Sequence, residues 1–352
     1  MKQTVAIIGA GIGAQHLAGY AALPERFRVK TICDLDEARG RSLADKCIGA
    51  GFVADVSDVL SDPEIDIADV CLPPDLHCRT CLDALDAGKS VVCEKPLACS
   101  LSEADRLIER SRHTGGAIFP VFQYRYGPGM SQLRALIDSG IAGRCYAGTL
   151  ETHWDRPAAY YDVGWRGTWA GEQGGAVLGH AIHIHDLLMS LLGPVKLVYA
   201  DVATRVNDIE VEDCAALAVR MRDGALVTSS ITLGAAGNTS RLRLMFEGFT
   251  VESDHAPYAP AARCWTFIAR DPARQRDIDA MLADVPKSGT GYEAFFEATA
   301  DALDGRPGCE VTLEDGRRSI ELATAIYGSA RSGQPEDLPI KSGHPFYDGW
   351  AR

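Results

Sequence analysis

The sequence predicts two domains: a doubly wound α/β domain on a parallel sheet over residues 1–122, then an α+β domain on an antiparallel or mixed sheet over 123–352. Three observations carry this reading. The first 122 residues alternate short apolar runs with amphipathic stretches of helical period. A glycine-rich turn closes the first apolar run. After about residue 123 the rhythm changes, and several long extended runs follow one another before helices return. A chain of 352 residues also suits two domains of roughly 100–200 residues each.

TVAIIG (4–9), FRVKTICD (27–34), IDIADVCLP (65–73), SVVCEKP (90–96) and AIFPVF (117–122) read as buried parallel strands. LDALDAG (82–88) ends a helix at Gly88. Ser100 and Glu103 form a capping box for a second helix, which stops at Gly115 and Gly116. In the second domain a helix is expected over 129–139 and a strand over 144–154. A loop rich in Gly, Trp and Tyr (155–175) then leads to an apolar helix over 180–193. Strands are expected at 195–206, 214–222, 225–233 and 240–253, with Asp223-Gly224 as a two-residue hairpin turn. Helices close the chain at 291–304 and 314–332.

Composition narrows the function. Apolar residues make up 46% and charged residues 24%, as in soluble globular chains. Asp and Glu total 48 against 35 Lys and Arg, a formal charge of -13. This balance argues against general binding to nucleic acid or anionic membrane, which needs basic patches. No apolar run reaches the ~20 residues of a membrane span. The apolar N-terminus is broken by glycines and reads as a strand entering a turn rather than a signal peptide. Eleven scattered cysteines suit a reducing cytoplasm. Cys78 and Cys81 form a C-x-x-C with no second pair at zinc-ribbon spacing, so they read as small core residues on a helix.

GAGIGA (9–14) follows the first strand and opens a helix, matching G-x-G-x-x-(G/A). Gly9 permits the tight turn, Gly11 lets the backbone approach a pyrophosphate, Ala14 lets the helix pack near the strand, and Gly13 is an extra glycine. The helix N-terminus offers free N–H groups to phosphates. Asp34 ends the second strand, 20 residues beyond Ala14. A carboxylate there accepts hydrogen bonds from both ribose hydroxyls and repels a 2′-phosphate. The segment therefore predicts a dinucleotide-binding (Rossmann) domain, with NAD preferred over NADP. Glu94-Lys95-Pro96 closes another strand, at the edge where such sheets bind ligands. There Lys95 can stabilise an alkoxide as a substrate hydroxyl loses its proton.

GAGIGA, CDLDEARG, CLPPDLHCRTCLDALDAGKSVVCEKPLACSLSEADRL, FQYRYGP, WRGTWAGEQGGAVLGHAIHIHDLLMSLLG and EDGRRSIELATAIYGSARSGQPEDLPI occur in this order over nearly the whole chain. Together they resemble the glucose–fructose oxidoreductase/inositol dehydrogenase (Gfo/Idh/MocA) family. The resemblance implies an open, mainly antiparallel sheet in the second domain that mediates homodimer or homotetramer formation. It also implies oxidation or reduction of a sugar or polyol with a nicotinamide cofactor. The family's cofactor contacts fall on Gly11, Ile12, Asp34, Leu72, Pro73, His77, Glu94 and Lys95, with Gln123 near the nicotinamide. Its acid–base lysine falls on Lys95, and the histidine of its H-x-x-D on His183, followed by Asp186. One departure stands out: many members have an acid four residues before that histidine, where this chain has Gly179.

Helical spacing places His180, His183 and Asp186 on one face and turns His185 about 200° from His183. His183 is thus the candidate base, oriented by Asp186 or a substrate hydroxyl, with His180 as a substrate hydrogen-bond partner and His185 as a core residue. H-x-x-H-x-H is not a metal-ligand spacing that this geometry supports, so no metal is expected. Tyr126, His153, Tyr161 and Trp165 are candidate substrate contacts, because aromatic faces suit sugar rings. Arg166 is a candidate for contact with either cofactor phosphates or substrate. The expected activity is an NAD-dependent dehydrogenase for a sugar, glycoside or cyclic polyol, with Lys95 and His183 converging over one face of the coenzyme. Two alternatives are a glycosidase acting by transient C3 oxidation and elimination, and a non-catalytic sugar or dinucleotide sensor.

Overall fold

The computed structural model describes residues 2–351. Six parallel strands form the first sheet: β1 (Gln3–Ile8), β2 (Phe27–Cys33), β3 (Gly51–Val53), β4 (Ile67–Val70), β5 (Ser90–Cys93) and β6 (Ile118–Pro120). Their order is β3-β2-β1-β4-β5-β6. Five helices make the crossovers: α1 (Gly13–Ala21), α2 (Glu37–Ala44), α3 (Val56–Ser61), α4 (His77–Asp86) and α5 (Leu101–Thr114). Burial of both sheet faces explains the unbroken apolar runs: Val5, Ala6, Ile7, Ala68, Val70, Val91 and Val92 are all inaccessible to water.

Local chemistry sets the helix ends. Ser100 caps α5 by accepting from the Glu103 N–H at 3.1 Å, and Gly115 ends it in the left-handed conformation. Asp36 and Asp55 cap α2 and α3 in the same way. Cys78 and Cys81 lie on the buried face of α4 within the core, and burial pushes the Cys78 thiol up to about 12. They are core residues, as their spacing implied. β3 escaped the sequence reading because it is a three-residue edge strand.

The second sheet contains β7 (Cys145–Asp155), β8 (Val195–Ala203), β9 (Cys214–Met221), β10 (Leu226–Thr232), β11 (Gly234–Phe246), β12 (Phe249–Glu252), β13 (Thr266–Ala269) and β14 (Glu336–Asp337). The order is β13-β12-β11-β7-β10-β9-β8-β14. Every pair is antiparallel except β7–β10, so the sheet is mixed and mainly antiparallel. The helices are α6 (Pro128–Asp138), α7 (Ile182–Leu192), α8 (Gln275–Asp284), α9 (Gly291–Leu303) and α10 (Leu313–Ser332), and a π-helical segment, Ala176–Ala181, precedes α7. The expected strand 240–253 is two strands. They fold back at Glu247-Gly248, whose N–H groups bond the Arg144 and Ala142 carbonyls.

Residues 2–121 and Tyr292–Ile320 form one compact unit, and Phe122–Gly291 with 321–351 form the other. Most of α9 and the start of α10 therefore return to the first unit. There Phe296 stacks on Tyr20 at 3.8 Å between ring centroids, and Arg26 pairs with Asp301 at 2.8 Å. No helix among the described residues is long and apolar enough to cross a membrane.

Gly9 sits at φ +103°, and a Cβ there would lie 2.3 Å from the Cys71 carbonyl oxygen. Gly9→Ala should destabilise the first unit by about 1–3 kcal/mol, read as a lower urea midpoint. An unchanged midpoint would refute the close approach.

Candidate functional site

The β1–α1 turn divides its labour among three glycines. Gly9 supplies the positive φ. Gly13, rather than Ala14, lets the helix pack on the strand, since a Cβ there would come within 2.6 Å of Ile7 Cγ2. Gly11 is exposed and would have nothing within 4 Å of a Cβ, so no protein contact requires a glycine there. A glycine there leaves the backbone open to close approach by a group such as a pyrophosphate. The helix begins after Ile12, itself exposed, with no side-chain cap on its first N–H groups. Those donors suit an anion.

Asp34 stands at the end of β2, where a ribose would lie. Its carboxylate accepts from the Ala10 N–H at 2.7 Å and the Asp36 N–H at 2.8 Å. Arg39, from the first turn of α2, adds a bidentate pair at 3.0 and 2.7 Å. Burial alone would raise the Asp34 pKa, but Arg39 and the Ala10 N–H hold it below the ordinary value. Arg39 lies five positions beyond Asp34, a pairing not anticipated from the sequence.

Leu72 and Pro73 follow β4 and are half-buried. His77 is fully buried, with Nδ1 2.7 Å from the Pro96 carbonyl oxygen and Nε2 2.8 Å from that of Leu72. Its ring thus ties two loops together rather than presenting an open face to a ligand. The Lys95–Pro96 peptide is cis. The Lys95 N–H donates to Glu94 Oε2 at 3.0 Å.

Glu94 belongs to a buried network that the sequence reading did not find. His16 on α1 places Nδ1 2.8 Å from Asp69 Oδ2 and Nε2 3.1 Å from Glu94 Oε1. The Tyr292 hydroxyl donates to the same Glu94 oxygen at 3.3 Å. An ionised carboxylate only accepts, so both ring nitrogens must donate, which requires the imidazolium. Burial opposes that charge, yet Asp69 holds the His16 pKa well above its usual value. The one available signal was Asp69 itself, an acid inside an otherwise apolar strand. His16, Asp69 and Cys71 are also the one group of possible metal ligands among the described residues, within 4.8 Å of one another. Both ring nitrogens face carboxylates at hydrogen-bond distance, and burial keeps Cys71 a thiol, so the arrangement is that of an ion-pair network.

In the second unit, Gln123–Arg125 form one 3-10 turn, with Gln123 and Tyr126 half-buried. Arg125 grips Asp186 with two bonds, 2.7 and 2.6 Å, both residues being buried. Asp186 therefore anchors the start of the unit to α7. His183 is buried and stacks on Tyr124, with centroids 4.6 Å apart and planes 20° apart. His185 bonds Ser229 Oγ at 3.1 Å, and burial lowers its pKa to about 4, as befits a neutral core residue.

The π-helical segment bearing His180 depends on Glu212, a second residue that the sequence reading missed. The Glu212 carboxylate accepts from the Gly175 and Val177 N–H groups and from the Tyr327 hydroxyl, each at 3.0 Å. Its backbone oxygen leaves no room for a Cβ on Gly175, which would lie 1.8 Å away. Burial raises the Glu212 pKa to about 7. His180 Nε2 accepts from Arg156 Nε at 3.3 Å, and the Trp154 ring meets His180 edge-on at 5.2 Å. Arg156 also lies over Trp154 and Tyr160, and Arg166 over Tyr160 and Trp165. Trp165 and Tyr161 are half-buried around this cluster.

His153 is not brought to this cluster. Successive residues of a strand face opposite sides, so His153 points away from the face of Trp154. It bonds Ser230 Oγ at 3.0 Å on the side that exposes Tyr199, Leu226 and Ile268.

Two family profiles match the chain. The oxidoreductase family with an NAD-binding Rossmann fold (GFO/IDH/MocA) matches residues 3–122, and the GFO/IDH/MocA C-terminal domain matches residues 130–252. The inositol 2-dehydrogenase of Salmonella typhimurium is 30% identical, over 99% of this chain and 100% of its own. The D-glucoside 3-dehydrogenase of Escherichia coli is 25% identical, over 95% of this chain and 97% of its own. Among solved structures, the WlbA dehydrogenase from Bordetella pertussis in complex with NADH and UDP-GlcNAcA is 29% identical, with a TM-score of 0.86. That match covers 97% of this chain and 100% of the other.

Two outcomes follow from these contacts. Asp34→Ser should release Arg39 and remove the charge that opposes a 2′-phosphate. A charge-assisted hydrogen bond contributes about 1.5–3 kcal/mol, so the NADP⁺ to NAD⁺ ratio of kcat/KM should rise by roughly ten- to a hundredfold. His16→Asn leaves two buried carboxylates without their cation and should cost about 3 kcal/mol or more of stability at neutral pH. Because the folded pKa of His16 is raised, its contribution is complete below the ordinary 6.5 and is lost as pH rises through the raised value. Wild-type stability should therefore fall at alkaline pH more steeply than that of the variant in urea titrations. Parallel curves would refute a charged His16.

Proposed function

Because the chain belongs to the GFO/IDH/MocA oxidoreductase family, with its NAD-binding Rossmann domain, we propose that it oxidises a hydroxyl of a sugar, glycoside or cyclic polyol. The observation that carries the reading is the mounting of Lys95. Its own N–H is held by Glu94, and the carbonyl of the next residue is held by His77. Two buried groups thus flank one half-buried lysine at the end of a strand where such sheets bind ligands. The names of the relatives, an inositol dehydrogenase and a glucoside dehydrogenase, support the substrate class.

The residues fit a nicotinamide dinucleotide: Gly11 and the uncapped start of α1 for the pyrophosphate, and ionised Asp34 for the adenosine ribose. When bound, the nicotinamide ring accepts a hydride. The chain's own residues manage the proton. His183 takes the proton of the substrate hydroxyl, and the Lys95 ammonium stabilises the oxygen as negative charge develops. The carbinol thereby becomes a carbonyl, having lost one hydride and one proton. Stacking on Tyr124 fixes the His183 ring, and the Arg125–Asp186 pair fixes the helix that carries it. Half-buried Tyr161 and Trp165 supply aromatic faces, and His180 a hydrogen-bond partner, suited to a sugar ring. We assign the exposed side of the second sheet, with Tyr199, Leu226 and Ile268, to association between copies.

A panel of monosaccharides, inositols, glycosides and UDP-GlcNAcA with NAD⁺ and NADP⁺, following reduced cofactor and product together, tests the reading. Net NADH and a carbonyl product are expected. Lys95→Ala should lower kcat by about 10²–10⁴-fold, far more than it weakens NAD⁺ binding read by calorimetry. Equal turnover in that variant would remove Lys95 from the mechanism.

A further inference from the structure

Position 179 lies in the π-helical segment, four residues before His183, where the family resemblance implies an acid and the chain has glycine. The space beside that glycine is not empty. A Cβ built on Gly179 would meet one neighbour within 4 Å, Glu172 Oε1, at 3.4 Å. Glu172 comes from the loop before the helix and is buried. Its other oxygen, Oε2, is fixed by the Gly167 N–H at 2.7 Å, which aims Oε1 at the helix. In an α-turn or a π-turn, a residue four positions on returns to nearly the same face. The direction of the missing side chain is therefore the His183 side of the segment.

We propose that Glu172 is a positioning residue that supplies from the loop the carboxylate that position 179 lacks, holding His183 ready to take the substrate proton. This rests on the dehydrogenase reading given above. A neutral imidazole base works only when one ring nitrogen is held by an acceptor and the other is left for the substrate. Gly179 is then a requirement rather than a defect. An acid at 179 would place a second carboxylate against Glu172 in a buried setting, where two like charges cannot both ionise. The loop is shaped to hold this carboxylate. Gly167 is at φ +71°, and the Glu172 N–H closes a turn on the Thr168 carbonyl at 3.0 Å. Tyr160 and Tyr161 sense the charge, since burial above all, and Glu172 as well, raise both phenols.

The test is a cycle of E172Q, G179D and the double variant E172Q/G179D. Glutamine keeps an acceptor for the Gly167 N–H and removes the charge. With the best substrate of the panel above and NAD⁺, E172Q should lower kcat at least tenfold, with the KM for NAD⁺ within threefold of wild type. G179D alone should also lower kcat, and the double variant should recover to within about threefold of wild type. ¹⁵N-histidine spectra of the apo-protein, with His183 assigned through H183N, give a readout that needs no substrate. The His183 tautomer pattern should change in E172Q and return in the double variant, while thermal unfolding confirms that each variant is folded. E172Q with wild-type kcat and unchanged His183 signals, beside an inactive Lys95→Ala, would overturn this proposal and leave the dehydrogenase reading intact. Wild-type kcat in Lys95→Ala would instead overturn the reading. If the single substitutions impair and the double does not recover, Glu172 is a structural residue and the proposal is likewise overturned.

Discussion

A buried imidazolium between two carboxylates is the constraint around which the first unit is arranged. Taking three charges out of water is costly unless each has its partner at hydrogen-bond distance. His16 comes from α1, Asp69 from β4, and Glu94 from the end of β5. Tyr292, the first residue of α9 within this unit, completes the set. The charge network therefore cannot close until the chain has passed through the 122–291 part of the second unit and returned. The same Glu94 that neutralises His16 holds the N–H of Lys95, so the stability of the core and the placement of the proposed catalytic amine share one carboxylate.

The second unit relies on a comparable device built from glycine and one acid. Glu212 satisfies the N–H groups at the start of the π-helical segment, and Gly175 lets its backbone come within a distance that any Cβ would block. A π-turn is rare because it widens the helix and loosens its packing. Here the strain is met by a carboxylate with three donors, buried to the point that its pKa rises to about 7. Farther on, Arg125 and Asp186 pin the α-helical part from the opposite direction. The two histidines of interest thus sit between the Glu212 anchor and the Arg125–Asp186 pair.

The fold was largely legible because it rests on short-range signals. The apolar runs, the capping residues Ser100 and Gly115, the Asp223-Gly224 hairpin and the glycine turn each act within a few residues. The features that escaped are those in which distant residues meet. His16 looked like an ordinary residue of a first helix, and its partners lie 53 and 78 positions away. Glu212 is 37 positions from the glycine it serves. The α-helical spacing used to group His180 with His183 begins only at Ile182, because no local pattern announces a π-turn. His153 was chosen for its residue type, and the alternation of the strand sends it to the other side of the sheet.

Gly179 shows the limit of reading chemistry from motif positions. A motif records which residue supplies a group, whereas the reaction depends on where the group is. A carboxylate reaching a helix from a loop differs in sequence from one carried by the helix, yet it presents the same charge to the same face. The exchange is favoured by two details: the loop oxygen is anchored by a backbone N–H, which costs no side-chain entropy on the partner's side, and glycine removes the one steric obstacle. The loop residue also comes with a penalty, because Glu172 needs the turn at Gly167 to stay in place. An acid on the helix would need no such support. A site built this way ties its base to the conformation of the segment 155–175, the same segment that supplies the aromatic faces proposed for the sugar. On the proposed reading, substrate binding and preparation of the base draw on one loop.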